Sequence, residues 1–205
     1  MRTRTSFHAR SGLSLVELTI SLFVFSIVGY SLVGIVQVGR RSTETVSSAA
    51  VQLREMRETH STLSNELQLA SDGNILIEDL PDENHQVTFM HRIESGGNLE
   101  WGVFDKSLGA NDDEQNRVGW SFRYTVSFGL DAEGEASRQL VRQLIDENGD
   151  IQDQEVVLDH INAGNALTPG FRVVRAGDMW EVRIGTDSTV GAPNQEMMFH
   201  VRTRN

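Results

Sequence analysis

Residues 13–38, LSLVELTISLFVFSIVGYSLVGIVQV, form an apolar run of 26 residues with one charge, Glu17. As a helix rising about 1.5 Å per residue, such a run measures roughly 39 Å, enough to cross a bilayer with some tilt. Bases flank it on both sides. Arg2, Arg4 and Arg10 precede it without any acid, and Arg40-Arg41 follow it. The leading cluster is the larger and comes first, so the positive-inside rule places residue 1 in the cytoplasm and the bulk of the chain across the membrane. A secretory signal fits less well. Its apolar region runs about 7–15 residues and ends at a small-residue cleavage site. The first such stretch here, Ser48-Ala49-Ala50, comes ten residues after the run ends.

Glu17 is the anomaly. A carboxylate within an apolar span costs on the order of 3 kcal/mol. A residue near the helix start can snorkel to the interface, where the helix dipole also favours a negative charge. That account leaves the neighbouring residues unexplained. Ser11-Gly12-Leu13-Ser14-Leu15-Val16-Glu17, behind a basic leader of 12 residues, resembles the class III leader and cleavage site of type IV pilins and type II secretion pseudopilins. In that family a short basic leader ends in Gly. The next residue, usually Phe and sometimes Leu or Met, becomes the mature N-terminus, and a Glu stands at the fifth mature position. Here Leu13 replaces the commoner Phe.

The resemblance implies a prepilin peptidase that cuts between Gly12 and Leu13, and N-methylation of Leu13. Gly12 offers a backbone with no side chain to obstruct the enzyme. It implies that Glu17 pairs with the N-terminal ammonium of a neighbouring subunit as the helix enters a filament. A paired buried carboxylate is tolerated and fixes register, whereas an unpaired one is costly. The implied partners are the prepilin peptidase, other pilin or pseudopilin subunits, an inner-membrane assembly platform and the lipid bilayer.

Gly29, Gly34 and Gly39 recur every five residues within and just after the run. They permit close helix packing or mark a segment able to stretch, and without Pro a continuous helix is expected. Beyond Arg40-Arg41, Val46, Ala50, Leu53, Met56, His60, Leu63 and Leu67 follow three- and four-residue steps among polar residues. This predicts an amphipathic helix with those residues on its packed face, His60 at the core edge, and a stop near Ser71-Asp72-Gly73.

From residue 74 the period changes to two. Residues 120–128, WSFRYTVSF, alternate without a fault and predict a half-buried strand with its aromatics on one face. Further strands are expected at 74–78, 86–93, 98–104, 138–145, 155–161, 171–175, 179–184 and 197–202. Hairpins are expected about Asn148-Gly149 and Gly177. A sheet with a polar outer face must cover its apolar face, and the helix at 46–67 is the obvious partner. The expected fold is α+β: a leader over 1–12, a transmembrane or filament-core half-helix over 13–38, an amphipathic half over 39–72, and an antiparallel β-rich head over 73–205. The strand order of the head and the terminal Arg204-Asn205 are similar to J-type minor pseudopilins and PilW-like minor pilins.

Composition narrows the function. With 205 residues the chain allows one domain and an appendage. It has no Cys, which excludes disulfides, thiolate metal sites, iron–sulfur clusters and thiol catalysis. The net charge is −11, and the leader carries +3, leaving −14 on the remainder. That argues against a generally basic nucleic-acid surface. Asp146, Asn148 and Asp150 offer hard oxygen donors, but Gly149 falls fourth in the run from Asp146 rather than sixth as in an EF-hand. A solvated hairpin is the simpler account, with calcium as the alternative. Asp112-Asp113-Glu114 reads as an exposed acidic loop. His85, His91, His160 and His200 lack metal-ligand spacing, and no nucleophile elbow, P-loop or zinc-protease motif occurs. No catalytic residue can be named, and no enzyme is expected. The expected protein is a structural pilin-like subunit with a minor, tip-proximal role as the favoured variant. It would be held in a bacterial inner membrane with its head in the periplasm, then drawn into a type II secretion pseudopilus or type IV pilus. The alternative is an uncleaved single-pass anchor whose periplasmic head binds a ligand or envelope partner.

Overall fold

The computed structural model describes residues 14–111, 115–131, 134–164, 170–187 and 194–204. The chain divides into two compact units, Met1–Glu44 and Thr45–Asn205. One helix, α1, runs through both, from Leu15 to Leu69, 55 residues in all. Within the first unit it is apolar and exposed on nearly every side. Its hydroxyls turn back onto the helix: Ser26 donates to the Leu22 carbonyl at 2.8 Å and Ser31 to that of Ile27 at 2.9 Å. In a bilayer this leaves those polar groups satisfied within the segment. No side chain stands within 4 Å of a Cβ placed on Gly29, Gly34 or Gly39.

The second unit joins the last part of α1 to ten antiparallel strands. These are β1 (Ala70–Asp79), β2 (His85–Ser95), β3 (Asn98–Phe104), β4 (Asn116–Val118), β5 (Ser121–Leu130), β6 (Ala136–Ile145), β7 (Ile151–Leu158), β8 (Phe171–Ala176), β9 (Met179–Thr186) and β10 (Gln195–Val201). A seven-stranded sheet has the order β4-β3-β2-β5-β6-β7, with β1 paired to β2, and a three-stranded sheet has the order β10-β9-β8. The architecture is a long N-terminal apolar helix followed by an antiparallel β-rich domain, as the change of period predicts.

One core serves both sheets. Met56, Leu63 and Leu67 of α1 pack with Val87, Phe89, Phe122, Tyr124, Leu140 and Leu144 of the large sheet, and with Phe171, Val173, Trp180, Val182 and Ile184 of the small one. The sheets are joined where Oδ1 of the buried Asn84 side chain accepts the Phe171 amide at 2.7 Å, covering part of the open edge of β8. The β2–β3 hairpin turns on Gly96 and Gly97, both with positive φ, as a two-residue turn with this twist requires.

Several expectations are corrected. The buried face of α1 is Gln52, Met56, Thr59, Leu63 and Leu67, while Val46, Ala50 and Leu53 face solvent. The face rotates because two polar residues find main-chain partners at the packed side. Thr59 Oγ1 donates to the Val157 carbonyl at 2.7 Å and Gln52 Nε2 to that of Asp187 at 3.4 Å. The helix ends at Leu69, before Gly73, and the chain passes directly into β1. The register of β1 on β2 shifts between Ala70 and Ile75, so Ser71-Asp72-Gly73 lie in an irregular stretch of strand instead of a helix cap. The Arg204 amide donates to the Gln68 carbonyl at 2.9 Å, satisfying one acceptor of the last turn. In β5, Phe122 and Tyr124 are buried but Phe128 is 75% exposed, with the Arg138 guanidinium over its ring. Strand β7 starts at Ile151, four residues earlier than expected, and β4 has no counterpart among the expected strands.

Candidate functional site

Helix α1 begins with a reciprocal cap. The Val16 amide donates to Ser14 Oγ at 3.2 Å, and the Ser14 amide donates to Glu17 Oε2 at 3.0 Å. This is a variant of the capping box: Ser14 Oγ takes the second amide of the helix, that of Val16, and Glu17 takes the Ser14 amide. The carboxylate also lies where the helix dipole favours negative charge. Glu17 therefore has a partner within its own chain. The Ser14-x-x-Glu17 spacing is a local signal for this cap, and the sequence carries it in full. Gly12 and Leu13, the residues of the expected cleavage junction, lie outside the described residues. Helix α1 contains an 18-residue apolar window long enough to cross a membrane, and none of that window is buried within the protein.

At the β6–β7 hairpin, Asp146 Oδ1 accepts the amides of Asn148 and Asp150, each at 2.9 Å, and Oδ2 accepts Gln152 Nε2 at 2.8 Å. The Asp150 amide, more than any other donor, holds the Asp146 carboxyl below the usual carboxylate range. Both oxygens are thus engaged in shaping the turn, and Asp150 contributes its amide to that turn. Among the described residues no group of three or more His, Asp or Glu is placed to hold a metal ion. The cluster Asp112-Asp113-Glu114 lies outside the described residues.

Periodicity did not reveal a buried ionic cluster between α1 and the large sheet. Arg142 of β6 donates through Nε to Glu66 Oε1 and through Nη2 to Asp105 Oδ2, both at 2.9 Å. Tyr124 Oη donates to Glu66 Oε2 at 2.7 Å, and the guanidinium lies 4.2 Å from the centre of the Phe122 ring. Burial raises the Glu66 carboxyl above its ordinary value, against the opposing pull of Arg142 and Tyr124. Burial and the Glu66 charge together push the Tyr124 hydroxyl well up. His91 sits beside the cluster, 2% exposed, between Phe89 and Phe122, with neither ring nitrogen hydrogen-bonded. Burial lowers it to about 4.

The only signal for this cluster was an acid in the helix and an arginine and tyrosine at inward positions of adjacent strands. Arg142 and Tyr124 prove to be cross-strand partners in the β5–β6 ladder. Chemically the arrangement is a lock: ion pairs and a hydrogen bond fix the rotation and height of α1 against the sheet.

A second node ties down the C-terminal segment. Asp72 accepts Trp180 Nε1 at 3.0 Å, Arg175 Nη2 at 2.9 Å and the Thr203 hydroxyl. The Thr203 hydroxyl and then the Trp180 ring N–H are the main causes that lower its carboxyl below the ordinary value. His60 is half-buried and meets the Phe199 ring edge-on at 4.3 Å, the core-edge position expected of it.

The chain matches no known family model. No curated protein matches it. No solved structure matches it.

Proposed function

We propose that the protein is a pilin-like structural subunit, processed by a prepilin peptidase after Gly12 and assembled into a type II secretion pseudopilus or type IV pilus. The observation that carries this reading is helix α1. An exposed apolar segment with Glu17 in its first turn continues without a break into the packed spine of a β-rich head. An apolar helix exposed on all sides must be covered by lipid or by other helices. A subunit that moves from bilayer to filament uses both coverings in turn. The basic leader, the Gly12–Leu13 junction and the position of Glu17 support the same reading. The lock at Arg142 suits a mechanical role, because force on the helix reaches the head through a fixed contact.

One observation favours a second reading, an uncleaved single-pass anchor carrying a periplasmic binding head. Glu17 Oε2 already accepts the Ser14 amide of its own chain.

Two substitutions separate the roles of the acid. Ser14→Ala removes the hydroxyl that caps the Val16 amide but keeps the carboxylate, while Glu17→Ala removes the carboxylate but keeps that hydroxyl. Under the filament reading, Ser14→Ala chains enter filaments at near-normal levels and Glu17→Ala chains stay in the membrane. Entry of Glu17→Ala at wild-type level would remove the docking role and leave Glu17 as a cap.

A further inference from the structure

Two dipeptides in this chain are open to the same chemistry, and the fold treats them differently. They are Asp72-Gly73 and Asn148-Gly149, the only places where Gly follows an Asp or Asn. Glycine bears no side chain, so its main-chain nitrogen can close on the carbonyl carbon of the preceding side chain. Both atoms belong to one dipeptide, and an attack within one molecule gains greatly from that proximity.

Asp72 is tied down. Its Oδ1 accepts Trp180 Nε1 at 3.0 Å and the Thr203 hydroxyl, and its Oδ2 accepts Arg175 Nη2 at 2.9 Å. The Thr203 and Trp180 donors hold the carboxyl below its ordinary value. It is therefore ionised at neutral pH, and a carboxylate resists attack by a nucleophile.

Asn148 stands at the other extreme. Residues 147–156 are exposed without interruption, and the Asn-Gly pair lies in the turn of the β6–β7 hairpin. Gly149 takes the positive φ of that turn, 90°, and a Cβ placed on it would meet nothing within 4 Å. One main-chain bond opposes the attack: the Gly149 amide donates to the Asp146 carbonyl at 3.1 Å. It closes a solvent-exposed turn, the class of contact that opens most easily. The Asn148 side chain also hydrogen-bonds with the Asp146 carboxylate, the least of the contacts that lower that carboxyl.

We propose that Asn148 is a site of spontaneous covalent modification, converting in the folded protein to aspartate and isoaspartate. The Gly149 nitrogen gives its proton to solvent base and bonds to Cγ of Asn148. The Cγ–Nδ2 bond breaks, and the side-chain nitrogen takes a proton from water and leaves as ammonia. The product is a five-membered succinimide. Water then adds to one of its two carbonyl carbons, and the bond from that carbon to the ring nitrogen breaks. Opening at Cγ gives aspartate, and opening at the main-chain carbonyl gives isoaspartate. In total one water is consumed and one ammonia released, with no change of oxidation state. Either product adds a negative charge to an arm that already carries Glu147, Asp150, Asp153 and Glu155 with no base. Isoaspartate also lengthens the main chain by one carbon within the turn that Asp146 Oδ1 closes by accepting the Asn148 and Asp150 amides. The proposal does not rest on the filament reading.

The test uses the full-length chain in native membranes, held for days at mildly alkaline pH, beside a second sample held in guanidinium. Tryptic peptides spanning residues 58–92 and 143–172 are sequenced by mass spectrometry, and isoaspartate is labelled with protein isoaspartyl methyltransferase. In the folded sample Asn148 should convert to both products while Asp72 stays unmodified. In guanidinium, isoaspartate should appear at both positions. Conversion of Asn148 should rise several-fold from about pH 6 to about pH 8, because the attacking amide must lose its proton. Asn148→Gln, whose side chain must close a larger ring, should reduce conversion at this position several-fold or more. An Asn148 that stays intact in the folded chain but converts in guanidinium overturns the proposal, since the turn would then protect it. Equal isoaspartate at Asp72 and Asn148 in the folded chain also overturns it, since the fold would then make no distinction between them.

Discussion

At the scale of single residues, the feature with most consequence is His91. A buried imidazole resists protonation, because burial strips hydration from its charged form. Three residues act on it besides burial: the Glu66 main chain of α1, Arg142 of β6 and Asp105 after β3. Its folded value of about 4 lies below the ordinary 6.5. The unfolded chain therefore binds the proton first. The His91 contribution is intact above about pH 6.5, and stability is lost as pH falls from there toward 4, by roughly 3 kcal/mol at full effect. Glu66 acts in the opposite sense, since its raised carboxyl takes up a proton in the folded state before the unfolded one. The clean comparison is His91→Leu against the wild type. The difference in unfolding free energy between the two, from urea titrations, should change by roughly 3 kcal/mol between pH 7 and pH 4. A difference that is flat over that range would contradict the account.

At the scale of elements, α1 does two things with one sequence. Its first half offers apolar surface on all sides, and its second half commits one face to the core. The packed face predicts a contrast between neighbouring leucines. Leu63 is fully buried, so Leu63→Ala should cost about 2–5 kcal/mol in unfolding free energy. Leu53 is 42% exposed, so Leu53→Ala should change stability by less than about 0.5 kcal/mol. Equal losses would mean that the face is the one read from apolar spacing. That spacing was legible for Met56, Leu63 and Leu67 but misleading for Val46, Ala50 and Leu53. Apolar periodicity gives no weight to Gln52 or Thr59, whose burial depends on carbonyls 135 and 98 residues away in the chain. Strands were legible where alternation was clean, as at Asn98–Phe104, whose bounds agree with expectation. Three-residue β4 is too short to alternate, and β7 is polar on both faces along most of its length. The ionic lock was hidden for a related reason. Glu66, Arg142 and Asp105 look like solvated charges until the fold brings them together. The capping box at Ser14 and Glu17 was different, being local and readable from spacing alone.

At the scale of the whole molecule, an anchor-length helix runs into the spine of a β-rich head. The net charge of −11 is borne disproportionately by the head. Entry into a filament needs a mature N-terminus at the start of the apolar helix. The most direct measurement is therefore the intact mass of the protein from native membranes. The account predicts that twelve residues have been removed from 205, leaving a chain of 193 that begins at Leu13 and bears one methyl group. A full-length, unmethylated chain would contradict it, and the protein would then be a membrane-anchored β-rich module.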